Sequence, residues 1–112
     1  FQKKLKNIDK VGIKRRKIWF DPGVGFGKNL KQNLQIIKNI NKFKLKNCGL
    51  LIGSSRKSWI CKIDNSSVEK RLGGSIASTL YCLNQGVDIF RVHDVHETKQ
   101  AITIYNKIKC SK

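Results

Sequence analysis

The sequence predicts an α/β fold in which parallel strands alternate with helices, and three observations carry that expectation. A short apolar run rich in branched or aromatic residues occurs three times, at residues 18–20, 50–52 and 87–92. Each run stops at a cluster of Gly, Ser or charged residues, and a segment with apolar residues at helical spacing then follows. Consecutive strands joined through a helix run in the same direction, so the order demands a parallel sheet.

Taken in order, residues 1–9 read as the end of an earlier helix, with Gly12 as its stop. The first strand ends in Asp21-Pro22-Gly23, and the helix after it opens at Asn29. A short polar side chain there accepts from a free backbone N–H while Gln32 reciprocates, and Leu30, Leu34 and Ile37 form the inward stripe. The second strand ends in Gly53-Ser54-Ser55-Arg56-Lys57-Ser58. Its helix is expected to open at Ser66 with Glu69 as the reciprocal partner, to bury Leu72, Ile76, Leu80 and Leu83, and to end at a left-handed Gly86. The third strand ends in His93-Asp94, and Asp94 with Glu97 is expected to cap a last helix facing inward through Val95, Ala101, Ile102, Tyr105 and Ile108.

Parallel sheets need both faces covered or closure into a barrel, and three units cannot close. A TIM (β/α)8 barrel takes on the order of 250 residues. The expected fold is therefore the C-terminal three βα units of such a barrel, with residues 1–112 forming one portion of a single domain. The chain holds no Met and starts at Phe1, so it reads as a fragment.

With 112 residues and 39% apolar composition the chain can bury one thin core. No run approaches the roughly 18 apolar residues of a membrane span, and no leader pattern is seen, so a soluble cytoplasmic protein without a membrane partner is expected. A net charge of +17 would ordinarily point to nucleic acid. Here the cations are overwhelmingly lysines scattered among Asn and Ile, which a drift toward A/T-rich codons also produces, so no specific nucleic-acid partner is expected. Cys48, Cys61, Cys82 and Cys110 form no C-x-x-C pair and have no zinc-ligand spacing, which indicates reduced thiols and no metal site. Cys82 falls in an apolar helical pattern and is read as core. His93-Asp94-Val95-His96 superficially resembles a metal pair, but His96 falls in the first turn of a helix.

Functional groups of parallel α/β folds sit at the C-terminal ends of strands. One mouth is therefore expected, lined by Asp21 and Lys28 from the first loop, Ser55, Arg56, Lys57 and Ser58 from the second, and Arg91 and His93 from the third. Such a basic rim with one carboxylate suits a substrate carrying both an anion and a donor-rich heterocycle edge.

The motifs Asp21-Pro22-Gly23-Val24-Gly25-Phe26-Gly27-Lys28-Asn29, Gly53-Ser54-Ser55-Arg56-Lys57-Ser58 and Arg91-Val92-His93-Asp94-Val95 resemble, in order and spacing, the last three strand-end motifs of the dihydropteroate synthase family. The resemblance spans nearly the whole chain. It implies a pterin-binding barrel that condenses p-aminobenzoate with 6-hydroxymethyl-7,8-dihydropterin pyrophosphate, giving dihydropteroate and pyrophosphate in folate biosynthesis.

By the same resemblance, Asp21 accepts from the pterin edge, Lys57 donates to the pterin and packs near the bond-forming carbon, and Ser58 meets the p-aminobenzoate carboxylate. Arg91 and His93 face the pyrophosphate, with Arg91 also able to lie flat on the pterin, and Phe26 packs on the aminobenzoate ring. Lys57, Arg91 and His93 are the implied catalytic residues, and Gly53, Ser55 and Arg56 complete the implied substrate-binding set. Val24 and Ser54 depart from the residues common in relatives, so loop packing is expected to differ there. Magnesium is the implied cofactor, with its ligand expected outside this chain, and a homodimer is implied for the complete enzyme. The family's earlier strand-end motifs are not in these residues, so no turnover is expected from the chain alone. An inactive remnant or partner half-barrel, and a basic nucleic-acid-binding module, are the alternatives.

Overall fold

The computed structural model describes residues 2–112; Phe1, the first residue of the expected N-terminal helix, lies outside them. Three short strands, β1 (Trp19–Phe20), β2 (Gly49–Ile52) and β3 (Ile89–Phe90), form a sheet in the order β1-β2-β3, and both pairings are parallel. Phe20 pairs with Leu50 and Ile52 with Phe90, so the strands end close to one level. β3 keeps only two of the six residues that the apolar run offered.

Side chains on a strand alternate between faces. Phe20, Leu50 and Ile52 point into the core, where they cluster with Ile37, Ile40, Trp59, Ile60, Cys82 and Val87. Trp19, Leu51 and Ile89 fall on the opposite face, which no helix among the described residues covers; Trp19 is 48% exposed. The molecule is accordingly a slab about 21 Å thick and 45 by 41 Å across.

Helix α1 (Gln2–Lys10) ends at Gly12, whose φ of +81° and N–H to Asp9 close the turn, as expected. Helix α2 (Leu30–Lys38) opens on the predicted box: Asn29 accepts from the Gln32 N–H at 2.8 Å, and Gln32 accepts from the Asn29 N–H at 2.9 Å. The second unit differs from expectation. A separate helix, α3 (Ser58–Asp64), starts inside the polar cluster and buries Trp59 and Ile60. Asn65, left-handed at φ +59°, ends it, and Ser66 and Glu69 fall in the turn that follows rather than at a helix start. Helix α4 (Leu72–Asn84) begins only then, and its buried residues are Ser75, Ser78, Thr79 and Cys82.

The expected Leu72-Ile76-Leu80 stripe is instead turned toward α5 (Val95–Lys109), where it lines one side of an open groove. Its place against the second loop is taken by hydroxyls, because that loop presents backbone N–H groups and Ser54, which an aliphatic face would leave unpaired. Gly86 does close α4: its N–H reaches Leu83 O, the Val87 N–H reaches Cys82 O, and φ is +95°. On α5 only Thr98 is buried, while Val95 and Ile108 are exposed, so that helix is not the core element its pattern predicted. Cys82 is fully buried, and burial pushes its thiol up to about 12.

Candidate active site at the strand ends

Asp21, Gly53 and Arg91 each follow the last core-facing residue of a strand, Phe20, Ile52 and Phe90. The two-residue period therefore turns all three onto the open face, and the rim follows from strand parity alone. Arg91 Nη2 lies 3.8 Å from Asp21 Oδ2, an ion pair that reaches over β2. Gly53 makes that reach possible, since a β-carbon there would stand 2.9 Å from Arg91 Nη2. The other Asp21 oxygen accepts from the Gly23 N–H at 2.8 Å, which fixes the carboxylate against its own turn.

Lys57 leans across from the second loop onto the first. Its Nζ donates to Val24 O and stands 4.4 Å from the centre of the Phe26 ring. Burial lowers the Lys57 pKa below the ordinary 10.5; Asp21 opposes that shift, and the cations of Arg91 and Lys28 add to it. Lys57, Asp21, Arg91 and Lys28 thus share one electrostatic neighbourhood. Lys28 itself is drawn back into its loop, donating to Gly23 O and Phe26 O, each at 2.9 Å.

His93 is exposed beside the second loop, its Nδ1 3.2 Å from the buried Ser55 Oγ. The Arg56 side chain does not face the opening as expected. The Arg56 guanidinium is taken up by Asp94, which holds the Asp94 carboxyl below the usual carboxylate range. That use of Asp94 also explains why it accepts no cap hydrogen bond from α5. Arg56 has φ +51°, and its backbone is held on both sides, by its N–H to Ser75 Oγ at 2.8 Å and by Arg71 Nη1 to its carbonyl at 3.0 Å. Ser58 is the exposed first residue of α3, and Lys57 is the residue at the cap position. The concave surface nearest the rim, about 560 Å³, runs from Phe26, Gly27 and Lys28 along the outside of α2 rather than between the loops.

The model of the family described as "Pterin binding enzyme" matches residues 1–93. The chain belongs to the pterin-binding enzymes. Within that family it is 39% identical over 104 residues to the dihydropteroate synthase of Escherichia coli strain K12, an alignment covering 93% of this chain and 37% of that protein. The crystal structure of the Yersinia pestis dihydropteroate synthase superposes with a TM-score of 0.92 at 36% identity, covering 99% of this chain and 52% of that one. A Clostridium difficile dihydropteroate synthase, crystallised in the presence of pteroic acid, gives a TM-score of 0.89 at 41% identity over 96% of this chain and 41% of that one. The chain thus spans well under half the length of the curated bacterial relative, and its sheet and helices are part of a TIM-barrel pterin-binding fold.

Three residues of this pterin-binding unit escaped the sequence reading. Asn33 is 2% exposed on α2 and accepts from the Gly25 N–H at 2.7 Å; its signal was an amide three residues after Leu30 and four before Ile37, on the inward stripe. Ser75 and Arg71 hold the second loop by its backbone, a role that no spacing announces. Val24 is a fully buried plug, and the Ser54 hydroxyl meets that of Ser78 at 2.9 Å.

Proposed function

We propose that this chain supplies the pterin and pyrophosphate contacts of a dihydropteroate synthase, which joins p-aminobenzoate to 6-hydroxymethyl-7,8-dihydropterin pyrophosphate. The observation that carries the reading is the meeting of Asp21, Arg91 and Lys57 at one strand-end rim. A pterin edge is rich in N–H donors, and Asp21 is the rim carboxylate that can accept them in charge-assisted bonds. Arg91, planar and held over the bare Gly53, can lie on the ring face while its nitrogens meet an anion. Lys57 donates to the carbonyl side of the heterocycle. His93, Arg91 and the exposed Ser58 face the two anionic groups, pyrophosphate and aminobenzoate carboxylate.

In the reaction so read, the bond from the pterin methylene to the pyrophosphate oxygen breaks and its electron pair leaves with pyrophosphate. The aniline nitrogen forms the new bond to that carbon and releases a proton to solvent. Stabilising the departing anion is then the main electrostatic task, and it falls to Arg91, His93 and the desolvated Lys57. No covalent nucleophile is required.

The magnesium ion implied by the resemblance does not fit this rim. Asp21 is already engaged by Gly23 and Arg91, and among the described residues no three His, Cys, Asp or Glu side chains come together. The unpaired cysteines and the reading as a folate enzyme support a cytoplasmic location. The apolar groove between α4 and α5, edged by the exposed Ile104 and Ile108, supports a homodimer for the complete enzyme.

The test is a chimera in which this chain replaces the matched 37% of the Escherichia coli enzyme. Dihydropteroate formation is expected from the chimera and is lost on Asp21→Asn or Lys57→Met. A folded chimera that binds no pterin pyrophosphate rules the reading out.

A further inference from the structure

We infer that Asn33 is a positioning residue for the Lys57 ammonium, acting through the Val24-Gly25-Phe26 tripeptide of the first loop. The inference deepens the pterin reading above and rests on it only for the consequence to ligand binding.

The tripeptide presents three different surfaces to Lys57. Val24 offers its carbonyl to Nζ, and Phe26 offers a ring face 4.4 Å from Nζ. Gly25 offers a bare α-carbon: a β-carbon there would stand 2.7 Å from Lys57 Cδ, so the aliphatic stem occupies the space of a missing side chain. Gly25 also has φ +89°, a backbone state that other residues rarely adopt. Together the three surfaces hold a cation partly out of water, and burial is the leading cause of the lowered Lys57 pKa.

Something must hold the tripeptide in turn. On one side Val24 is buried without residual exposure. On the other, the Gly25 N–H donates to Asn33 Oδ1 at 2.7 Å, and Asn33 is 2% exposed on the inward face of α2. A buried amide is costly unless bonded, so a side chain of this kind at an aliphatic position calls for a reason. The reason lies in the loop, because the Asn33 side chain is spent on the Gly25 N–H. Without it, α2 no longer fixes Gly25, the carbonyl and ring move off the ammonium, and Lys57 turns toward solvent.

The experiment follows the Lys57 Cε resonance in the chain labelled with carbon-13 lysine, assigned by its disappearance in Lys57→Arg. In Asn33→Leu, of similar volume but without the acceptor, Lys57 is expected to titrate close to the ordinary 10.5. In Asn33→Gln, whose neutral amide oxygen can accept the same N–H without adding a charge beside the ammonium, the depressed titration is expected to return. Gly25→Ala places a β-carbon 2.7 Å from Lys57 Cδ and is expected to release the stem directly, which checks that the loop surface holds the ammonium.

A folded Asn33→Leu chain in which Lys57 titrates as in the wild type overturns the inference. Should Asn33→Leu not fold, Asn33→Ala, which also removes the acceptor, decides: an unmoved Lys57 there overturns it equally. Shift changes on adding 6-hydroxymethyl-7,8-dihydropterin pyrophosphate separate this inference from the functional reading. If the chimera with the wild-type residues shows none, the pterin reading fails while the lysine titration of the chain still judges Asn33. If it binds, Asn33→Leu is expected to weaken binding about tenfold and Asn33→Gln to restore it.

Discussion

Arg56 grips Asp94 through two nitrogens, Nε to Oδ2 at 2.9 Å and Nη2 to Oδ1, across 38 residues of sequence. Each partner adjoins a rim residue, Lys57 in one case and His93 in the other. The Ser55 hydroxyl against the His93 ring repeats the link one residue earlier in each loop. The second and third loops are therefore clasped twice, and the rim between them is set before any ligand arrives.

The clasp makes stability depend on acid pH. The hydrogen bond from Arg56 holds the Asp94 pKa below its ordinary 3.8, against a smaller opposing effect of burial. A carboxyl with a lower pKa folded than unfolded contributes stability above the unfolded value and loses it as pH falls through the folded one. In urea unfolding at neutral pH, Asp94→Ala is expected to unfold at lower denaturant than the wild type, with the gap narrowing steadily below pH 3.8. A gap of constant size down to the acid limit would mean that the pair contributes nothing.

Lys57 gives the opposite sign. Its folded pKa lies below its unfolded 10.5, so the unfolded chain binds more protons in the interval between them, and stability rises with pH there. Relative to Lys57→Met, the wild type is expected to gain stability as pH climbs toward 10.5 and to level off above it. Parallel pH profiles for the two proteins would show that the cation is not held out of water.

Gly53→Ala tests the reach of Arg91 over the sheet. The added methyl meets the end of a flexible, largely exposed side chain, so the fold should survive with its melting temperature nearly unchanged. Arg91 is displaced from Asp21, and loss of a hydrogen bond to a charged group, about 1.5–3 kcal/mol, should weaken pterin pyrophosphate binding in the chimera by about 10–100-fold. Calorimetry showing wild-type affinity would remove Arg91 from the site.

The two helix starts should respond differently. Asn29→Ala breaks a formed capping box and is expected to cost about 1 kcal/mol. Glu97→Ala at the start of α5 removes a carboxylate that completes no box, so the helix-dipole contribution, about 0.3–1 kcal/mol, and a weak attraction to Arg56 are at stake. A wild-type midpoint for Asn29→Ala in denaturant unfolding would contradict the capping box formed at Asn29.

Those two caps also show how far the sequence could be read. Asn29 and Asp94 have the same local signature, an acceptor with Gln or Glu three residues on, and local rules cannot tell them apart. Asp94 is drawn away by Arg56, a partner that no short-range pattern reveals. The strand-end clusters were legible because parity and punctuation are local, and so were Gly12 and Gly86 as helix stops. The inward face of α4 was not legible. There Ser75 is turned inward by the Arg56 N–H, which is presented only once Arg56 takes its left-handed turn, and Ser78 by the Ser54 hydroxyl.

The two tryptophans stand in opposite environments, Trp59 at 7% exposure inside the core and Trp19 on the uncovered sheet face. The chain consequently carries a pair of native optical reporters. Acrylamide should quench the red-shifted emission of Trp19 first, and any molecule that settles on that face should shield it while leaving the Trp59 signal unaltered.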